Sequence, residues 1–195
     1  MAAFRFTWLG VPALCILLLS GCSSAPFKYY LLAPVKTASP AHSGLAVGVG
    51  PVTLPDYLDR PQIVTRTQGS EIVLADGHRW AEPLQVNVTN VLAENLAAMT
   101  GSPQIVFYPW KTTQRPTRQV VVDVSRFDAD ADRVVTLQAR WSVGEPDKPA
   151  ALRRSTIQVA ATGAGYEGLV AAQNEALARL SQEIAAELGG VAAAK

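Results

Sequence analysis

Cys22 stands directly behind Leu19-Ser20-Gly21, at the end of an N-terminal apolar run, and this limits what the rest of the chain can become. Arg5 supplies a positive start, and Trp8 to Leu19 forms a short apolar stretch. The order is that of an export signal. The stretch is shorter than the roughly 20 residues a spanning helix needs. Ser20 and Gly21 are small enough to sit beside a scissile bond, so cleavage is expected between Gly21 and Cys22. The Cys22 thiol then takes a lipid, as in a bacterial lipobox. An ordinary secretory signal or an uncleaved membrane helix is the plainer alternative, but neither needs the sequence small pair, then cysteine. Residues 1–21 are thus read as a lipoprotein signal peptide. Cys15 leaves with it, so the one remaining cysteine is acylated and no disulfide is available. A packed core must hold the mature chain together.

Composition permits such a core. About 170 residues remain after cleavage, enough for one domain. The 195-residue chain carries 17 Lys and Arg against 16 Asp and Glu, and losing Arg5 leaves it near neutral. There is no basic block or basic-aromatic run, which argues against nucleic acid as a partner.

Residues 22–44 read as acylated cysteine, tether and leading strand; 45–190 as the folded domain; 191–195 as a frayed tail. Phe27 to Leu32 is too rich in rings for a free tether and is expected to join the sheet, with contact to a lipid surface as the competing reading. Leu45 to Val52 reads as a buried strand, with Gly48 and Gly50 allowing close backbone approach and Pro51 and Pro55 breaking the ladder. Residues 62–67 and 71–75 form a hairpin, with Asp76-Gly77 a further turn. Pro83 marks a helix start. Leu84, Val88, Val91, Leu92, Leu96 and Met99 are its apolar stripe, and Gly101 its end. Strands follow at 104–108, 118–127, 133–143 and 154–162. A closing helix over 166–188 buries Val170, Leu177, Leu180, Ile184 and Leu188, with Glu175 and Arg179 paired four apart. This pattern predicts an α+β fold: a single domain with a mainly antiparallel sheet and two helices packed on one face.

The search for chemistry returns little. His42 and His78 are the only imidazoles and read as surface residues. Ser155 and Ser181 lack a nucleophile's setting. Asp128-Ala129-Asp130-Ala131-Asp132 imitates the start of a calcium loop, but Arg133 and Ala139 occupy the positions that need glycine and glutamate. It reads as a hairpin connection, and no metal site is expected. Gly163-Ala164-Gly165 reads as a flexible junction. Two segments stand out differently: Asp56 to Pro61 and Arg79 to Leu84. Tyr57, Arg60, Arg79, Trp80, Glu82 and Trp110 are candidate interface residues, because Tyr, Trp and Arg dominate protein interfaces. A packing corner, with Trp80 buried and Arg79 paired to Glu82, explains the second segment equally well.

These segments also carry a family likeness. Tyr29-Tyr30-Leu31-Leu32, Val47 to Arg66, Arg79 to Leu84, Val91 to Leu96, Tyr108-Pro109-Trp110 and Leu180 to Ala185 together resemble the ABC-type transport auxiliary lipoproteins. The resemblance implies a non-enzymatic subunit of an envelope transport system with no catalytic residue to assign. It implies N-acyl (palmitate) and S-diacylglycerol lipid on Cys22 as the only attached group. Ser23, where aspartate commonly marks inner-membrane retention, implies an outer-membrane location with the domain facing the periplasm. The implied partners are an inner-membrane MCE-domain protein and further copies of the same chain, with phospholipid as possible cargo. The alternative is a periplasmic carrier that holds an apolar lipid inside its own fold; a hydrolase is a weaker rival.

Overall fold

Alternation of buried and less buried residues builds most of the longest hairpin. Val135, Leu137, Ala139, Trp141 and Val143 are buried on one strand, and Val120, Val122 and Val124 on its partner, as expected for a sheet with one covered face. The computed structural model describes residues 26–35 and 44–193. Gly21, Cys22 and His42 lie outside the described residues. Ten elements follow in chain order: β1 (Lys28–Tyr30), β2 (Ala46–Thr53), β3 (Gln62–Arg66), β4 (Ile72–Trp80), α1 (Leu84–Thr100), β5 (Gln104–Phe107), β6 (Arg118–Ala129), β7 (Val134–Gly144), β8 (Arg153–Ala160) and α2 (Gly165–Ala193).

The fold is α+β, as expected, but the sheet is mixed. β6–β7, β7–β8 and β3–β4 pair antiparallel. β1–β4, β2–β5, β2–β6 and β3–β6 pair parallel. Parallel neighbours need a long crossover, and α1 carries the chain back between β2 and β5. β6 is the spine. Its one edge takes β7 and then β8. Its other edge takes β2 from Arg118 and β3 only at Ala129. The sheet therefore forks: β2 and β5 make one branch, and β3, β4 and β1 the other.

Three local expectations are corrected. Pro51 does not end β2; the strand continues to Thr53 through a register shift between Val49 and Val52. Asp76-Gly77 is not a turn. β4 runs through it to Trp80, with Gly77 at φ 75°, inside a stretch where β4 advances from Leu74 to Arg79 while β3 steps from Val64 to Gln62. The closing helix does not stop at Leu188 but passes through Gly189 and Gly190 to Ala193.

Both helices supply the other half of the core. Leu92 and Leu96 of α1 meet Leu177, Leu180, Ile184 and Leu188 of α2, together with Phe127 and Leu137 from the sheet. Each such side chain contributes about 2 kcal/mol relative to exposure. Gly101 caps α1 in the left-handed region at φ 63°, its N–H bonding Ala97 O, as expected. Glu175 and Arg179 pair at 2.8 Å, also as expected.

Candidate functional site

The chain between Leu32 and Val35 lies along both helices and is held there by asparagines. Leu32 N donates to Asn87 Oδ1 at 2.6 Å, Ala33 N to Asn174 Oδ1 at 3.0 Å, and Val35 N to Asn95 Oδ1 at 2.9 Å. Asn95 Nδ2 donates to Ser181 Oγ at 3.1 Å, and Ser181 Oγ to Leu177 O at 2.7 Å. Asn87 and Asn95 lie eight residues apart and so share one helix face. Leu32–Ala33 meets Asn87 and Asn174, and Asn95 meets Ser181 further along, so the two helices run in the same direction. None of these asparagines was singled out by sequence. Their signal was polar residues breaking into an apolar stripe.

Upstream, Lys28, Tyr29 and Tyr30 pair with His78, Arg79 and Trp80. The expected leading strand thus joins the sheet. Tyr30 Oη and His78 Nδ1 share a hydrogen bond of 2.7 Å, and the His78 ring stacks on Tyr166 at 4.0 Å. His78 is therefore a half-buried strand residue, not the turn residue expected.

Alternation separates the Arg79–Glu82 group. Trp80 turns inward and is 5 % exposed, and its backbone N–H donates to Pro61 O at 2.7 Å. Arg79 turns the other way, its Cζ 3.7 Å from the centre of the Phe27 ring. Adjacent strand residues face opposite sides, so Arg79 stacks on Phe27 instead of pairing with Glu82. Arg60, Trp80 and Glu82 do come together, with Asp59, Pro61 and Pro83, around a surface cleft of about 300 Å³. The Nε atoms of Arg60 and Arg79 are buried without hydrogen-bond partners.

Tyr57 is used internally. Its hydroxyl donates to Asp128 Oδ2 at 2.7 Å. Asp128 is fully buried and also receives Arg66 Nε at 2.8 Å and Arg126 Nε at 2.9 Å. Burial, with Asp128 second, pushes the Tyr57 hydroxyl above its ordinary pKa, against the opposing pull of Arg66. Trp110 belongs to the other branch of the sheet, following β5. It packs edge-on to Tyr108 at 5.3 Å, and its Cζ3 would lie 2.9 Å from a Cβ on Gly48. The six candidates therefore occupy four places: Arg60, Trp80 and Glu82 at the cleft, Arg79 on Phe27, Tyr57 in the buried Asp128 cluster and Trp110 on the β5 branch.

Of the aspartate run, Asp128 and Ala129 end β6, while Asp130 to Asp132 begin the β6–β7 hairpin connection that was expected. Asp130 Oδ1 accepts Val134 N at 2.9 Å, and no group of three or more potential metal ligands occurs among the described residues. Gly163 and Gly165 are not loose, since Arg133 Nη2 donates to both of their carbonyls, at 3.2 and 2.8 Å. Ser155 receives Trp141 Nε1 at 2.8 Å and donates to Glu183. No described helix is long and apolar enough to cross a membrane.

An α+β domain with a forked mixed sheet, parallel helices and a strapped N-terminal segment defines the class. Residues 29–185 match the ABC-type transport auxiliary lipoprotein component family, and the chain belongs to it. It is 31 % identical over 128 residues to the intermembrane transport lipoprotein PqiC of Escherichia coli K12, covering 63 % of this chain and 67 % of that protein. The PqiC of Shigella flexneri matches equally. In fold, it resembles a Xanthomonas campestris protein with a TM-score of 0.68 at 17 % identity, over 81 % of this chain and 92 % of that one. A second solved structure gives 0.65 at 24 % identity, over 84 % and 99 %. The family is that of a transport auxiliary lipoprotein component, which is not an enzyme class.

Proposed function

We propose that this chain is an outer-membrane-anchored subunit of an MCE-type intermembrane lipid transport system. Cleavage after Gly21 and acylation of Cys22 fix it to the membrane. The domain faces the periplasm and docks an inner-membrane MCE-domain protein of the PqiB type, working with further copies of itself. Phospholipid is the cargo of the assembly, and the complete system supports envelope integrity.

The observation that carries this reading is the family match across residues 29–185. Two features support docking over an internal lipid carrier. The space between helices and sheet is filled by Leu92, Leu96, Phe127, Leu137 and Leu177, each at most 1 % exposed. The cleft at Arg60, Trp80 and Glu82 opens at the surface and offers an indole wall, an acid and a guanidinium, the residue types of a binding hot spot.

The test is recovery of the MCE-domain protein from crosslinked membranes with natively anchored protein. Recovery supports the reading; its loss with the anchor intact overturns docking. Intact mass of the native product reads the acylation directly.

A further inference from the structure

Phe27, Tyr29 and Leu31 sit on or beside the edge strand β1 and are 46 %, 62 % and 52 % exposed. They alternate with Tyr30 and Leu32, which pack inward, so all three turn to the same outer side. Arg79, in register with Tyr29, lies over the Phe27 ring on that same side. An unpaired sheet edge dressed with rings and an aliphatic is a liability unless something covers it.

Chain length names the cover. Phe27 is five residues after Cys22, a reach of at most about 18 Å fully extended. The acyl chains hold Cys22 at the membrane surface. On the other side, Leu32, Ala33 and Val35 are fastened to Asn87, Asn174 and Asn95. The strap removes the slack through which the domain could stand away from the bilayer. Tyrosine favours the membrane–water interface, where its ring is buried and its hydroxyl stays wet. Arg79 suits the phosphate level beside it.

We propose that the outer side of β1, presented by Phe27, Tyr29 and Leu31, rests in the headgroup layer of the membrane that holds Cys22. The domain then sits at a fixed tilt, with the far end of α2 pointing away from lipid. This rests on the acylation of Cys22 proposed above.

The experiment uses the acylated protein in phosphatidylethanolamine–phosphatidylglycerol vesicles. Cys22 is blocked by its lipid, so a fluorophore attaches only to an introduced cysteine: Tyr29→Cys, Leu31→Cys or, as control, Leu152→Cys. Leu152 shares a cleft with Ala186 and Glu187, roughly 30 Å along α2 from Tyr166. Nitroxide-bearing lipid should quench labels at 29 and 31 several-fold more than the label at 152, while iodide in the water should do the reverse. If the protein floats with vesicles and intact mass shows the acyl chains, yet the labels at 29 and 31 answer only to iodide, this inference falls and the anchoring reading stands. If Cys22 carries no lipid and nothing floats, both fall. Shielding from both quenchers that vanishes on dilution assigns the edge to a second copy and overturns contact with lipid.

Discussion

Asn95 on α1 donates to Ser181 on α2 at 3.1 Å, while its carbonyl oxygen accepts the Val35 amide at 2.9 Å. One fully buried side chain thus joins both helices to the N-terminal segment at Val35.

Asn95→Ala should therefore cost about 1–2 kcal/mol, from two lost hydrogen bonds and an unsatisfied Val35 amide. Urea unfolding reads the stability. Hydrogen exchange reads the mechanism, because the Val35 and Ala33 amides should lose protection before the helices do. Unchanged exchange at Val35 would deny the strap its role.

Asp128 organises Tyr57, Arg66 and Arg126 with no exposure of its own. Asp128→Asn keeps the shape but removes the charge facing two guanidinium groups, and should cost about 2–3 kcal/mol. Tyr57→Phe loses one hydrogen bond and should cost about 1 kcal/mol. Urea midpoints with unchanged slope would check both.

Gly48 has no room for a methyl group. A Cβ there would come 2.5 Å from Pro116 Cγ and 2.9 Å from Trp110 Cζ3. Gly48→Ala should destabilise by about 1–3 kcal/mol through overpacking and shift the Trp110 emission. A melting temperature equal to that of the parent would refute the tight seat.

Asp123 is held below the usual carboxylate range, chiefly by its hydrogen bonds from Arg140 and then Thr53. A depressed folded value means the stabilisation is full above the unfolded pKa and is lost as pH falls through the folded one. Arg140→Ala should thus be less stable than the parent at neutral pH, and the difference should shrink below pH ~4. Both partners are well exposed, so the effect is small. Denaturation across an acid series measures it.

Arg60→Glu reverses the charge at the cleft beside Trp80 and Glu82. It should weaken capture of the MCE-domain partner several-fold; because Arg60 Nε is buried, the melting temperature is measured alongside so that capture is compared between folded proteins. Equal capture would move the docking surface elsewhere, with the β5 branch around Trp110 next.

Local chemistry made much of this protein legible. The β6–β7 hairpin announced itself through alternation, and both helices through stripes whose members are buried, apart from half-buried Met99. Arg79 shows where local reading stops. Three residues along a chain suggested a pair with Glu82, yet in a strand its side chain leaves on the opposite side from Trp80 and meets Phe27, 52 residues earlier. His78 looked like a turn residue because Asp76-Gly77 precedes it, and only β1 alongside shows that β4 continues. The interface candidates were chosen by residue type, which cannot reveal that Tyr57 spends its hydroxyl on Asp128 inside the domain.

The sequence by itself determined the two helices and the α+β class. Each depends on spacing within a few residues, where periodicity and residue size act directly. Only the tertiary structure decided the parallel pairings, the fork on β6 and the asparagine strap. Those depend on which distant segments meet, and a strand's pattern says which face is apolar without saying which neighbour will satisfy its backbone.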